Sequence, residues 1–390
     1  MKQQILDNWQ EYGFGLYIHW PFCASKCPYC DFNSHVRARI DQGAWKQAYL
    51  SEISRAAQET PGRVLKSIYF GGGTPSLMKA EVVQAIIDEA ARSWSFANDI
   101  EITLEANPTS VEVNRLRSYR LAGVNRVSLG LQALNDADLR RLGRQHSAAE
   151  GLAALDVAQS IFDRISCDLI YARQNQSLDS WQHELEDLFT YSPDHISLYQ
   201  LTIEPNTAFG ALHKKGKLSG LPDEDLAADL YDITAEICEN HGLRAYEISN
   251  YARPGSESRH NMIYWQMGDY IGIGPGAHGR ISTEKTRYAT ETILNPELWL
   301  NAVNDFGNGE KSREILSLSQ QAMEYLLMNL RLTDGMSLAR YVALNGQPLV
   351  AETIAKLDQD GLITVDQDRL KATVKGRILL NQIILELSEN

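Results

Sequence analysis

Three of the five cysteines in this 390-residue sequence fall within one short segment, CASKCPYC, at Cys23, Cys27 and Cys30. Spacings of three and two intervening residues let one turning loop direct all three thiolates toward a shared metal centre. A [4Fe–4S] cluster held by three thiolates keeps one iron free for a further ligand. A structural zinc ion is the alternative, with His19 or His35 as its fourth ligand. The spacing favours the cluster over zinc.

Charge and composition exclude several other classes of protein. The net charge of −13 opposes binding to phosphate backbones, so we expect no nucleic-acid partner. No apolar run approaches the roughly 18 residues that a membrane-spanning helix requires. The first nine residues, MKQQILDNW, lack the pattern of an export signal. We therefore predict a cytoplasmic protein without a transmembrane segment, and leave peripheral contact with a membrane open.

Six strand-like apolar runs alternate with helix-length amphipathic segments in the first half of the chain. The predicted strands span 15–20, 66–70, 100–105, 126–131, 164–171 and 195–201. The predicted helices between them span 45–57, 79–93, 110–121, 148–159 and 178–190. This pattern indicates an α/β fold with parallel β/α units, and the absence of GxGxxG after the first strand favours a full or partial barrel over a dinucleotide-binding sheet.

Beyond about residue 218 the pattern changes. A helix over 225–241 and a strand over 244–248 are predicted, followed by a loop that carries HNMIYW and by the glycine-rich IGIGPGAHG. Residues from about 316 onward indicate helices with a small wing. We predict three regions: a barrel over 1–217, an extension over 218–310 and a mainly helical, winged-helix-like domain over 311–390.

Polar residues directly follow several of the predicted strands. The cysteines follow the first strand, a glycine triplet with Thr74 follows the second, and Glu105, Gln132 and Asp168 stand at the ends of later strands. In parallel barrels the carboxyl ends of the strands meet at one mouth, so these residues are expected to lie together. The triplet is either a tight turn or a place where backbone approaches a ligand. Glu105 and Arg144 are either ligand contacts or surface ion pairs.

Taken together, these motifs resemble those of the radical S-adenosylmethionine (SAM) superfamily, in its oxygen-independent coproporphyrinogen oxidase-like branch. YIHWPFC, YFGGGTPS, EITLEANP, SLGLQ and HISLYQLTIEP occur here in the family's order. The resemblance implies a partial (β/α)6 TIM-like barrel, a [4Fe–4S] cluster and SAM bound to the cluster's open iron. The positions that match the family's SAM-binding residues are Tyr17, Gly72, Gly73, Thr74, Glu105, Gln132, Arg144 and Asp168.

Two functions compete within that branch. One is the oxidase, which decarboxylates coproporphyrinogen III, and the other is a heme chaperone of the HemW type, which passes heme to acceptor hemoproteins. The oxidase resemblance requires a cysteine two residues after Cys30, where Phe32 stands, and a longer N-terminal arm. HNMIYW resembles the heme-binding motif of the chaperones. We therefore favour the chaperone, and leave open whether SAM is cleaved.

The resemblance implies that His260, in HNMIYW, is an axial ligand of heme iron. The alternative interpretation is a loop histidine bonded to nearby carbonyl groups. His278 is a second candidate ligand, although a histidine in a glycine-rich loop often only holds a turn. Tyr264 and Trp265 offer flat apolar faces to a porphyrin, or cap a core.

One segment departs from the family. After the fifth strand the family shows a Gly-Leu-Pro-Gly-Gln turn, and this chain has Ala172 to Gln176, ARQNQ. We expect the tight glycine turn to be lost and Arg173 to place a bulky charge near the barrel mouth.

Overall fold

The computed structural model describes residues 8–283 and 286–388. Most of the segment inspected for an export signal lies outside these residues. The strands are β1 (Phe14–Trp20), β2 (Phe22–Cys23), β3 (His35–Val36), β4 (Val64–Gly72), β5 (Ser95–Ala106), β6 (Arg126–Gln132), β7 (Arg164–Tyr171), β8 (His195–Gln200), β9 (Arg244–Ala245), β10 (Asn250–Ala252), β11 (Asp269–Ile273), β12 (His278–Thr283), β13 (Thr286–Thr292), β14 (Glu310–Ile315), β15 (Met336–Ser337), β16 (Ile363–Asp366) and β17 (Arg369–Ala372).

Helices connect and cover these strands, and a short 3-10 turn spans Pro75–Leu77. The helices of the first half are α1 (Asn8–Tyr12), α2 (Gln42–Glu59), α3 (Ala80–Ser93), α4 (Ser110–Val113), α5 (Leu116–Leu121), α6 (Asp136–Arg141), α7 (Ala148–Gln159) and α8 (Leu178–Phe189). Those of the second half are α9 (Ala208–Lys214), α10 (Glu224–Asn240), α11 (Arg259–Trp265), α12 (Pro296–Phe306), α13 (Leu318–Asn329), α14 (Leu338–Asn345), α15 (Ala351–Gln359), α16 (Val374–Ile378) and α17 (Leu380–Ser388).

The six predicted strands are present as β1, β4, β5, β6, β7 and β8, hydrogen-bonded in parallel and in this order. Strand β6 illustrates why this sequence forms a barrel wall. Val127, Leu129 and Leu131 are fully buried in the core. The intervening residues of the strand face the opposite way and line a central cavity: Arg126, Ser128, Gly130 and Gln132. The α/β fold with a partial parallel barrel is confirmed.

The helices turn one apolar face to these strands. Helix α3 buries Val82, Val83, Ile86, Ile87 and Ala90. Each of its large aliphatic side chains stabilises the fold by roughly 1.5–3 kcal/mol relative to an exposed position. Serine capping boxes start α7 and α8, where the sequence changes from loop to helix.

Two segments after residue 218 differ from the prediction. The HNMIYW motif lies in helix α11 and not in a loop, because Ser258 caps its first turn by accepting from the Asn261 backbone. Part of the glycine-rich segment forms β11, which adds a seventh parallel strand beside β1, and His278 begins the antiparallel strand β12. Strands β9 to β14 thus extend the barrel into one 12-stranded sheet.

The C-terminal part has its own core. Side chains of α13, α14, α15 and α17 pack with those of an antiparallel three-stranded sheet, β15-β17-β16. The predicted wing is the β16–β17 hairpin, and the predicted helical character is confirmed. The predicted limits at 217 and 310 stay predictions. Within residues 8–283 and 286–388, no helix combines the length and apolarity needed to cross a bilayer.

Candidate functional site

A cavity of about 490 Å³ opens at the carboxyl ends of the barrel strands. Most of the predicted cluster and SAM positions line it: Cys23, Cys27, Cys30, Gly72, Gly73, Thr74, Glu105, Gln132, Arg144 and Asp168. Tyr17 is not among the lining residues. Its hydroxyl lies 3.0 Å from His19 Nδ1, and its ring stacks on Tyr69, which does line the cavity. The strand ends therefore meet at one mouth, as the sequence pattern requires.

The cysteine loop is held closed by the short β2–β3 ladder, which pairs Cys23 with Val36. All three thiols are half-buried, and burial raises the pKa of Cys23 and of Cys30. Among the described residues, no three Cys, His, Asp or Glu side chains already surround a single-ion position. Thiolates of a four-iron cluster bind different irons, so they stand further apart than the ligands of one zinc ion.

The two histidines of the zinc alternative have other partners. His19 uses both ring nitrogens, one with the Tyr17 hydroxyl and one with the Asn33 carbonyl at 3.0 Å. His35 Nε2 lies 2.9 Å from Asn33 Oδ1. His19 therefore has no ring nitrogen free for zinc, and His35 has one nitrogen engaged, so the three thiolates fit the cluster better.

The glycine triplet allows close packing under the cysteine loop. A Cβ on Gly73 would stand 2.7 Å from the Phe22 carbonyl oxygen and 3.0 Å from Cys23 Sγ. Gly72 has φ +108, and a Cβ there would overlap the His19 ring at 2.6 Å. The triplet thus turns the chain and packs its backbone against the cysteine loop, and the approach of this backbone to a ligand stays a prediction.

Glu105 is a half-buried carboxyl in the cavity wall. Burial raises its pKa to about 7, although the Tyr69 hydroxyl donates to Oε1 at 2.8 Å and opposes the shift. A carboxyl in this state gains strongly from a nearby cation, because the cation stabilises the ionised form. The ammonium group of SAM is such a cation, so this residue fits the cofactor.

Arg144 joins the cysteine loop to the barrel. Its Nη1 donates to Cys27 Sγ at 3.5 Å, and its Nη2 donates to the Gly130 carbonyl at 3.0 Å and to Asn107 Oδ1. The guanidinium therefore lies beside the cluster ligands, where it is able to pair a carboxylate. It is not a surface ion pair.

Three serines hold Asp168 in the cavity wall. Both carboxylate oxygens accept from Ser128 Oγ at 3.0 Å, and Oδ1 accepts from Ser166 Oγ at 3.3 Å. Burial raises the pKa of Asp168, and these hydroxyls together with Ser197 oppose the shift. Sequence reasoning missed the serines and Arg126. Alternation along the strands identifies them once the strands are known, because every second residue faces the interior.

Arg173 closely follows the carboxyl end of β7 but does not line the cavity. Its side chain is buried, donates to the Gln132 carbonyl at 3.3 Å, and pairs with Glu184 and, at 3.1 Å, with Asp138. The turn itself is kept, because Ala172 and Asn175 adopt the positive φ values of 57° and 59° that the family's glycines favour.

His260 lies at the opposite end of the barrel from the cysteines. It is 1% exposed, with Nδ1 2.7 Å from Ser67 Oγ and Nε2 2.6 Å from the Tyr264 hydroxyl. Its ring stacks on Tyr69 at 5.0 Å, and burial, then the charge of Arg126, lower its pKa to about 3. In this structure the ring has no free nitrogen for iron, whereas His278 is exposed.

Comparisons with known proteins agree with this geometry. The model of the Radical SAM superfamily matches residues 17–188, and that of the HemN C-terminal domain matches residues 316–379. Radical S-adenosyl methionine domain-containing protein 1, mitochondrial, from Bos taurus is 37% identical over 95% of this chain and 86% of its own length. The heme chaperone HemW of Escherichia coli is 35% identical over 95% of this chain and 96% of its own.

A solved structure supports the fold. Coproporphyrinogen III oxidase, HemN, from Escherichia coli superposes with a TM-score of 0.81 over 96% of this chain and 90% of its own, at 23% identity. The sequence relatives carry the family assignment. The chain belongs to the radical SAM superfamily, in the branch that includes the heme chaperone HemW, and this family carries a [4Fe–4S] cluster and SAM.

Proposed function

We propose that this chain is a heme chaperone, which binds heme and transfers it to acceptor hemoproteins in the cytoplasm. The observation that carries the proposal is the similarity to the Escherichia coli heme chaperone HemW over nearly the full length of both chains. Phe32 adds independent support. Its side chain is 60% exposed at the position where the oxidase pattern has a fourth cysteine.

We assign the cluster to Cys23, Cys27 and Cys30, and SAM to the cavity beside them. When bound, the two groups supply one-electron chemistry at the mouth. The chain's own residues bind and orient them: Glu105 receives the ammonium, Arg144 neutralises a carboxylate, and Asp168 accepts from ribose hydroxyls. Gly72, Gly73, Thr74 and Gln132 shape the wall, and Tyr17 supports it from behind Tyr69.

We retain His260 as the proposed axial ligand of heme. Because both ring nitrogens are hydrogen-bonded inside the barrel, binding of His260 to heme iron requires α11 to move away from the barrel. The proposal therefore includes a conformational change, with exposure of residues 259–265. Trp265, which is half-buried at the end of α11, then contributes an apolar face.

Titration of the anaerobically reconstituted protein with hemin tests the proposal. We expect one saturable heme per chain, a Soret shift in His260→Ala, and weaker binding with a smaller spectral change in Trp265→Ala. Hydrogen exchange in residues 259–265 should rise when heme binds. A wild-type spectrum in His260→Ala, with loss in His278→Ala, moves the ligand to His278. Absence of saturable binding contradicts the chaperone.

Two further measurements separate the chaperone from the oxidase. Incubation of the heme-loaded protein with a heme-free acceptor should produce the acceptor's own Soret band. Coproporphyrinogen III should persist in the presence of SAM and a reductant. Decarboxylation of coproporphyrinogen III without heme transfer would replace the chaperone by the oxidase.

A further inference from the structure

Arg126 is a buried cation without a carboxylate partner. It begins β6, is 2% exposed and lines the central cavity. Its one hydrogen bond to a described residue is a long contact, 3.5 Å from Nη1 to Thr103 Oγ1, and its Nε has none. No carboxylate oxygen of residues 8–283 and 286–388 lies within ion-pair distance of it.

The acidic groups nearest to Arg126 are already engaged. Glu101 pairs with Arg164 at 2.9 Å and accepts from the Arg259 backbone at 3.0 Å, at the start of α11. Asp168 is held by serine hydroxyls. These carboxylates act on Arg126 through space, and their charges outweigh burial and raise the pKa of Arg126 without a direct ion pair. The guanidinium therefore keeps its charge but lacks, within the described chain, the direct partners that a buried cation in a natural protein usually has.

Position separates Arg126 from the residues assigned to SAM. Gly130, which contacts Arg144, lies four residues further along the same strand, or roughly 13 Å toward the mouth. Between the two levels the cavity is lined by Ser128 and His195. A molecule that reaches Arg126 therefore sits deeper than the cofactor, with its far end open to the cofactor's side.

We propose that Arg126 is the anchor of a second binding subsite, which takes the carboxylate arm of a molecule held inside the barrel beneath SAM. A guanidinium presents a planar set of donors that matches a carboxylate, and burial strengthens such a pair. The carboxylate belongs either to a small organic acid or to a propionate arm of a porphyrin. The subsite does not depend on the proposed heme ligand, because it lies in the cavity and not on α11.

Arg164 provides a matched control. It stands directly across the β6–β7 ladder from Arg126, but its guanidinium is paired with Glu101. Since Arg126→Gln breaks no direct ion pair, it should melt at a higher temperature than Arg164→Gln. Arg164→Gln should melt lower, since it leaves Glu101 unpaired.

Binding is measured on the reconstituted protein with SAM, by calorimetry with sodium propionate and with neutral propionamide. We expect the wild type to bind propionate but not propionamide. The affinity for propionate should fall at least about tenfold in Arg126→Gln, recover partly in Arg126→Lys and change little in Arg164→Gln. The same binding measurements are made with mesoporphyrin and with its dimethyl ester. If only the porphyrin diacid depends on Arg126, the occupant is a porphyrin propionate.

Two results would overturn the subsite. One is an unchanged affinity for both propionate and mesoporphyrin in Arg126→Gln. The other is evidence that the charge of Arg126 is needed for folding. This would be a lower melting temperature for Arg126→Gln than for Arg164→Gln, or failure of Arg126→Gln to fold while Arg126→Lys folds. Hemin binding, followed separately, keeps the failure of the subsite distinct from the failure of the chaperone.

Discussion

The two ends of the barrel differ in how well their polar groups and backbone are accommodated. The mouth is formed by the cysteine loop and the strand ends, and the floor is formed by α11. At the mouth, burial raises the pKa of Glu105 to about 7, and Gln132 and Ala172 have positive φ. At the floor, Glu101 accepts from the first turn of α11, and both ring nitrogens of His260 are hydrogen-bonded. Unfavourable states concentrate where ligands bind, because a ligand offsets their cost. At the floor, in contrast, the ring of His260 is fully hydrogen-bonded, although Glu101 Oε2 has no hydrogen-bond partner among the described residues.

The largest expected effect is at the mouth. Replacing Cys23, Cys27 or Cys30 with Ala should abolish the cluster, because two thiolates do not retain a four-iron cube. Iron and sulfide analysis after anaerobic reconstitution should give about four irons in the wild type and almost none in each variant. Reduced wild-type protein should show an S = 1/2 signal that SAM alters.

Buried cysteines elsewhere provide the control for that experiment. Cys167 and Cys238 are fully buried thiols away from the loop. Their Ser variants should keep the full iron content. One tightly held zinc ion in place of the iron, dependent on His19 or His35, would restore the zinc alternative.

The next effect tests the floor as a structural plug. His260→Ala removes a buried ring and leaves the hydroxyls of Ser67 and Tyr264 without their hydrogen-bond partner. The free energy of unfolding should therefore fall by about 3–4 kcal/mol. The exposed His278→Ala should change it by less than about 0.5 kcal/mol. Urea denaturation of the heme-free proteins measures both. Equal stabilities would mean that α11 is not the plug that these contacts indicate.

Glu105 should make the free energy of unfolding depend on pH. Its pKa is about 7 when folded and near 4.5 otherwise, so between these values the folded state holds a proton that the unfolded state lacks. Stability is therefore full below pH 4.5 and falls as pH rises to 7, by about 3 kcal/mol relative to Glu105→Gln. Denaturation at pH 5 and pH 8 without ligands measures the difference. If both proteins have the same pH dependence, the carboxyl is not held neutral.

The sequence predicts the mouth better than the floor, for a physical reason. Strand alternation and cysteine spacing are local, so the strands and the lining residues at their ends could be placed in advance. The environment of His260 is not local: its contact Ser67 lies 193 residues away, and HNMIYW is too short for helical periodicity to reveal α11. The ion pairs of Arg173 are not local either, since Glu184 and Asp138 come from helices α8 and α6.

The smallest effect concerns strain at the mouth. Ala172 has φ 57°, in the left-handed region. This conformation costs a residue with a Cβ roughly 1–2 kcal/mol, whereas glycine adopts it without a steric penalty. Ala172→Gly relieves this strain but also removes a buried methyl group and adds entropy to the unfolded chain, so the free energy of unfolding should change by less than about 1 kcal/mol. Ala153→Gly, in the exposed interior of α7, is the control and should lower it by about 1 kcal/mol. If both substitutions destabilise the protein equally, the turn is unstrained, and the contrast between a strained mouth and a relaxed floor does not extend to the backbone.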